Sequence, residues 1–158
     1  GTMELVVDAK FPYVVTFKQK HIGEAAQNLD DAWEIDAWDS AAIQPLITHP
    51  VVESILLEIG SKSSNSHLQI GLAGIWYQQM IPEDATAEYI WRISEPVLQL
   101  AFYLSQPDCL KPVASVEQAR AALSRAIAGK AEKVIINPAR NDTTAVSETG
   151  IVAEEQES

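Results

Sequence analysis

Residues 90-IWRISEPVLQLAFYL-104 carry the longest regular apolar pattern in the chain. Apolar side chains recur there at helical spacing, at Ile90, Ile93, Val97, Leu100 and Leu104. Pro96 interrupts the pattern, and a proline inside a helix removes one hydrogen bond and clashes with the preceding turn. Ser94 stands where it can cap a new helix. The stretch therefore predicts two helices that share one core face, bend near Ser94 and end at Pro107.

Two further helices are predicted from their end signals. One begins at Pro50, because a proline at the first helical position loses no hydrogen bond, and ends at Gly60, which suits a helix C-terminus. The other follows Ser115, which forms a capping box with Gln118, and ends at Gly129. These two segments support a largely helical chain.

Two segments fit either a helix or a strand. Residues 24–38 favour a helix in their first half, but Trp33, Ile35 and Ala37 alternate as in a strand, so residues 33–38 stay open. Residues 67–81 show a helical face, given by Leu68, Leu72, Ile75 and Trp76. Alternation over 67–76 leaves a strand as the alternative, and we expect a helix.

Strands are expected near both ends of the chain. Residues 13–17 are all aromatic or β-branched, residues 5–7 can pair with them, and residues 134–136 form a short apolar run after the last helix. The expected fold class is α+β, mainly helical, with five to six helices and short strands near the N-terminus and after the last helix.

One globular domain is expected over residues 3–139, followed by a flexible acidic tail over 140–158. Ser, Thr, Glu and Ala predominate in that tail, which lacks aromatic residues and cannot offset the entropy of ordering its chain. No signal peptide and no membrane-spanning run is visible, and Cys109 is the only cysteine. We therefore expect a cytoplasmic protein without disulfides.

The net charge of −11 is concentrated in the body of the chain. Residues 22–108 contain thirteen acidic residues against Lys62 and Arg92. Such a surface repels phosphate groups, whose binding depends on Lys and Arg. Nucleic acids and anionic membranes are therefore not expected as partners.

Acidic residues alternate with two tryptophans between residues 30 and 38. The candidate partner-binding residues are Asp30, Asp31, Trp33, Glu34, Asp36 and Trp38. Acids attract a basic partner, and tryptophan is a common interface anchor. The leading prediction is a non-catalytic interaction module, such as an adaptor, an assembly factor, a chaperone-like or an immunity-type protein. Its partner would be a basic or partly apolar protein. No catalytic residue, metal or cofactor is predicted.

Two alternatives stay open. A small enzyme or ligand-binding domain would use His49 with Glu53, four residues apart on one helix, or the acids between Asp30 and Asp39. A homo-oligomeric subunit would instead pack a face containing Gly71 and Gly74 against a copy of itself.

The charge order also suggests a weak electrostatic latch. Basic residues on and after the last helix, Arg120, Arg125, Lys130 and Lys133, precede the acidic tail. The tail would fold loosely over this basic patch until a partner displaces it, since exposed ion pairs contribute only about 0–1 kcal/mol each.

Overall fold

The structure, a computed structural model, describes residues 1–20, 26–63, 65–131, 135–137, 143–146 and 151–156, with the backbone alone from residue 130 onward. An antiparallel sheet forms one layer, and helices form the other. The sheet runs in the order β3-β2-β4-β5-β1-β8-β7-β6. Its strands are β1 Thr2–Asp8, β2 Val15–Gln19, β3 Trp33–Ala37, β4 His67–Gly71, β5 Gly74–Met80, β6 Ile135–Asn137, β7 Thr143–Val146 and β8 Ile151–Gln156.

Three long helices pack against one another on one side of this sheet. They are α3 Pro50–Ser61, α4 Ala87–Leu104 and α5 Val116–Ala131, and two single-turn helices, α1 Leu29–Ala32 and α2 Gln44–Ile47, precede them. The helix α4 contacts β1 and β5. Strand residues that face the helices are fully buried, including Leu5, Phe17, Leu68, Ile70 and Tyr77. Burial of this alternating face is the main source of stability, at roughly 25 cal/mol per Å² of apolar surface.

The expectation of a mainly helical chain with only terminal strands is wrong, because strands also occupy its centre. Residues 67–80 form the hairpin β4–β5, with its turn at Leu72 and Ala73. Leu68 and Ile70 are buried, whereas Gln69 is exposed and Leu72 is 68% exposed. The period of two therefore describes this segment, and the predicted helical face over 67–81 does not exist.

The two helices predicted around Pro96 are one continuous helix. The helix α4 begins after Thr86, whose hydroxyl accepts a hydrogen bond from the Tyr89 N–H at 3.0 Å. Ser94 does not cap a second helix, because its buried hydroxyl donates to Met3 Sδ at 3.8 Å. Both halves of α4 bury the same apolar stripe against the core. The stabilisation from this burial outweighs the loss of the hydrogen bond that Pro96 cannot make.

Several local predictions are confirmed. The helix α3 begins at Pro50, and Ser115 Oγ accepts a hydrogen bond from the Gln118 N–H at 3.2 Å before α5. In the ambiguous segment, Asn28 caps α1, and residues 33–37 then form the strand β3. Residues 24, 25 and 134, also included in these predictions, lie outside the described residues.

The predicted tail contributes two strands. The strand β8 pairs with β1, and β7 pairs with β8, both antiparallel. The other residues of 140–158 lie outside the described ranges, and the flexibility of the tail stays a prediction. Within the part of the chain that is described, no helix is both long and apolar enough to cross a membrane.

Gly74 lies where β5 leaves the hairpin turn and runs against β1. Its φ is +136°, and a Cβ atom added there would lie 1.9 Å from the carbonyl oxygen of Val7. Gly71, its cross-strand partner, has no such restriction, since a Cβ there would meet nothing closer than 4.0 Å. Because the β1 backbone passes close to Gly74, glycine is required at position 74 but not at position 71.

We expect Gly74→Ala to lower the free energy of unfolding by at least about 2 kcal/mol, because it adds backbone strain and a steric clash. Urea denaturation measures this change. Gly71→Ala is the matched control and should change stability by less than about 1 kcal/mol. Equal effects of the two substitutions would contradict the proposed origin of the Gly74 requirement.

Candidate functional site

The strand β3 is the outermost strand on one side of the sheet. The Lys20 N–H donates to the Ala32 carbonyl at 2.9 Å, and this pair continues the β2–β3 register. Hydrogen-bonded and non-hydrogen-bonded pairs alternate in an antiparallel ladder. Glu34 and Asp36 therefore direct their backbone groups toward β2, while Ile35 and Ala37 direct theirs toward the open edge.

The hydrogen bonds between β2 and β4 lead to the same assignment of inward and outward backbone groups. The Gln19 N–H donates to the Ser66 carbonyl at 3.0 Å, which continues the β2–β4 register. By alternation, Phe17 bonds toward β4, and Lys18 bonds toward β3. In the described part of the chain, no backbone hydrogen bond occupies the outward groups of Ile35 and Ala37.

The side chains of β3 also divide between two faces. Glu34 and Asp36 are exposed on the face of the sheet that lacks helices. Ile35 and Ala37 point to the helical side and are only half-buried, because β3 has no further strand beside it in the described chain. The edge therefore has an acidic side and an apolar side.

The two candidate tryptophans have different positions. Trp33 is 1% exposed, its Nε1–H donates to the Leu56 carbonyl at 3.0 Å, and its ring packs nearly perpendicular to the ring of Phe17. It therefore anchors β3 to α3 and presents no surface to a partner. Trp38 follows β3 directly and is 93% exposed.

Trp38 belongs to an exposed apolar group that the sequence did not indicate. Continuing the strand registers by one position places Trp38 beside Val14, and Val14 beside the β4–β5 turn that carries Leu72. Val14 is 43% and Leu72 is 68% exposed. These three exposed apolar residues, the Trp38 cluster, therefore lie at the same end of β2, β3 and β4.

Four acids around β3 form no ion pair with any residue that the structure describes. Asp30, Asp31, Glu34 and Asp36, here called the edge acids, are all exposed. The ion pairs found among the described residues involve only Glu58, with Lys62 and Arg120. The Lys20 ammonium group donates to the backbone carbonyl of Asp30 at 2.5 Å. The edge acids therefore present negative charge to the solvent, which Lys18, opposite Glu34 in the β2–β3 pair, offsets in part.

The edge acids do not converge on a cation site. Across the described residues, no group of three or more His, Cys, Asp or Glu side chains is placed to hold a metal ion. Asp39, the last acid of the sequence cluster, accepts hydrogen bonds from the Ala41 and Ala42 N–H groups. Its carboxylate orders the loop that leads to α2.

His49 is a structural residue in this fold. It is 7% exposed and caps α3, with Nδ1 accepting from the Val51 N–H at 3.2 Å. Its Nε2 lies 2.7 Å from the Lys111 carbonyl, so this nitrogen donates and the ring is in the Nε2–H tautomer. Both ring nitrogens are thus occupied. The predicted pairing with Glu53 for catalysis has no nitrogen left to act on a substrate.

Tyr103 and Cys109 lie near this cap. The Tyr103 hydroxyl lies 3.3 Å from His49 Nε2 and accepts a hydrogen bond from the Leu110 N–H at 3.1 Å. Burial and the neighbouring Asp108 raise the pKa of the Cys109 thiol above its ordinary value. The thiol therefore stays protonated at neutral pH and is a poor nucleophile.

Arg120, proposed for the latch, is occupied within the helical layer. Its guanidinium group donates to Gln99 Oε1 at 3.0 Å, Ser54 Oγ at 2.9 Å and Glu58 Oε1 at 2.8 Å. Arg125 is exposed. The Lys130 side chain and all of Lys133 lie outside the described residues. Arg120 is therefore not free to bind the tail, and any latch would depend on the other three residues.

The groove around Arg120 has a volume of about 470 Å³, and its polar groups bond to one another. Glu95 Oε1 accepts hydrogen bonds from Ser124 Oγ at 3.1 Å and from Gln99 Nε2 at 3.4 Å. Burial acts to raise the pKa of Glu58, but the charges and hydrogen bonds of Arg120 and Lys62 outweigh it and lower the pKa. The groove therefore resembles a polar helix interface more than a reaction site.

The face proposed for self-association is used within the chain. Gly74 faces the Val7 carbonyl, as described above, so its open side contacts β1 of the same molecule. The predicted packing of Gly71 and Gly74 against a second copy lacks an available surface at Gly74.

We expect His49→Ala to lower the free energy of unfolding by about 1–3 kcal/mol, because it removes a helix cap and leaves the Lys111 carbonyl without its donor. Thermal or urea denaturation measures the loss. His67→Ala, on β4, should stay within about 0.5 kcal/mol of the parent protein. A stable His49→Ala variant would show that the cap is dispensable.

We expect Glu58 to make the protein sensitive to acid. Its pKa in the folded protein lies below the ordinary value of 4.5, so its contribution is present above pH 4.5 and is lost as the pH falls through the folded pKa. Glu58→Gln should weaken the dependence of stability on pH in this acid range, as measured by urea denaturation at several pH values. Asp84→Asn, on an exposed carboxylate, should leave that dependence unchanged.

No protein-family model, curated protein or solved structure matches this chain. The geometry of the β3 edge is therefore the basis for a functional conclusion.

Proposed function

We propose that this protein is a non-catalytic interaction module that binds a basic or partly apolar protein through its β3 edge. Adaptors, assembly factors, chaperone-like and immunity-type proteins belong to this class. The observation that carries the proposal is the 93% exposure of Trp38 at the end of the outermost strand. Its position beside the edge acids provides both an apolar anchor and a charge pattern.

Trp38 can supply a large part of the binding energy. A tryptophan buries roughly 150–250 Å² when it is covered, and apolar burial contributes about 25 cal/mol per Å² before the losses of association are subtracted. Tryptophan is accordingly enriched among the few residues that dominate interface energetics. Val14 and Leu72 extend this surface beyond a single side chain.

The edge acids supply direction and selectivity. Charges without partners attract an oppositely charged protein over distance and raise the rate of encounter, and salt screens this effect. They also repel phosphate-bearing partners, as does the net charge of −11. Nucleic acids and anionic membranes therefore do not belong to the proposed partners.

The occupied nitrogens of His49 and the raised pKa of the Cys109 thiol favour a binding role over an enzymatic one. Cys109 is the only cysteine, which fits a reducing compartment, and we propose the cytoplasm as the location.

The test uses a short synthetic peptide of alternating lysine and valine, titrated into isotope-labelled protein and followed by NMR. We expect the indole N–H signal of Trp38 to shift, and Trp38→Ala to weaken binding by at least about tenfold. Met80→Ala is the matched control, because Met80 is 56% exposed at the far end of β5. That variant should bind within about twofold of the parent.

Charge dependence provides the second measurement. A peptide of alternating glutamate and valine should not bind, and raising the salt from about 0.05 M to about 0.5 M should weaken binding of the lysine peptide. Equal binding of both peptides, or unchanged binding by Trp38→Ala, would contradict the proposal.

A further inference from the structure

We infer that the partner contributes an extended segment that joins the sheet as an additional strand beside β3. This inference rests on the proposed function and specifies its binding mode. The outward backbone groups of Ile35 and Ala37 provide hydrogen-bond donors and acceptors at a strand's normal spacing. An extended peptide that pairs with such an edge gains main-chain hydrogen bonds whatever its sequence.

The two sides of β3 determine which side chains the added segment needs. On the side without helices, its residues would lie next to Glu34 and Asp36, and opposite charges on neighbouring strands stabilise a sheet. On the helical side, its residues would cover Ile35 and Ala37, which are half-buried. The matching pattern therefore alternates a basic residue with an apolar one.

Trp38 can fix the position of the added segment along the edge. It lies one residue beyond the end of β3 and two residues after Asp36. A basic or apolar residue at the end of the segment would contact its indole ring, since cations and apolar groups both pack on tryptophan. Without a contact at the end of β3, two acids alone would allow the added segment to bind in a shifted register.

A second copy of this chain fits the edge poorly. Antiparallel self-pairing centred on Ile35 would place Glu34 of each copy opposite Asp36 of the other. Like charges directly opposite each other destabilise a strand pair. The same acids that favour a basic segment therefore oppose self-association, which is a common role of charged residues on edge strands.

The decisive experiment uses the lysine–valine peptide in two N-methylated forms, one methylated at every valine and one at every lysine. In a strand pair, only alternate residues direct their N–H groups toward β3. We expect one form to bind at least about tenfold more weakly than the unmodified peptide, while the other retains its affinity. Loss on valine methylation identifies antiparallel pairing, and loss on lysine methylation identifies parallel pairing.

A protein variant tests the same edge from the other side. Ala37→Pro removes an outward N–H and leaves the β2 bonds of Asp36 in place, and extended backbone at Asp36 suits a residue that precedes proline. We expect it to weaken binding of the unmodified peptide by at least about fivefold. Amide NMR signals from β4 and β5 check that this variant is folded.

The outcomes separate the two proposals. If the lysine peptide binds through Trp38 and both methylated forms bind equally well, the interaction module stands and strand addition is overturned. If the unmodified peptide does not bind to the parent protein, both proposals fail. Loss with one methylated form alone supports strand addition even if Ala37→Pro does not fold.

Discussion

The anchoring of Trp33 beneath the outermost strand is the contact on which the proposed surface depends. Its indole joins β3 to the carbonyl of Leu56 in α3, and it packs against Phe17 of the neighbouring strand. An outer strand has hydrogen bonds on one side only, so packing from within must hold it in place. With the indole buried, β3 holds in a fixed arrangement its acids and the outward backbone groups that bond to no described residue.

The same strand shows how neighbouring residues acquire opposite roles. Trp33 and Trp38 have similar acidic neighbours in the sequence, yet one is buried and the other is almost fully exposed. The difference arises because Trp33 lies within β3 and points toward the helices, whereas Trp38 follows the end of that strand. An exposed indole is thereby placed five residues from a buried one that stabilises the strand.

End signals allowed parts of the fold to be predicted from the sequence. The signals at Pro50 and Ser115 reflect local backbone chemistry, and helices start at both positions in the structure. The hairpin at residues 67–80 could not be assigned in the same way, because Leu68 and Leu72 fit both periods and only burial against the helices distinguishes them. The predicted break of the helix near Pro96 was wrong for a related reason, since the core contacts of the whole helix outweigh one missing hydrogen bond.

The candidate site was predictable in part. The exposed acids and Trp38 follow from composition and sequence proximity. The outer position of β3 depends on strand order, which also places Val14 and Leu72 at the same end of the sheet as Trp38. Some hydrogen-bond partners were equally hidden. The three contacts of Arg120 leave no sequence motif, whereas the position of His49 directly before Pro50 is that of a helix N-cap.

Arg120 gives the helical layer a property that apolar packing alone would not provide. Its planar guanidinium group binds α3 through Ser54 and Glu58 and binds α4 through Gln99. Because these three hydrogen bonds have fixed directions, they determine how far apart the helices lie. Lysine, with a single point of charge, cannot reproduce that geometry. The distances between α3, α4 and α5 are therefore set by directional hydrogen bonds as well as by side-chain volume. A substitution elsewhere in the core must preserve both the core volume and the positions of these bonds.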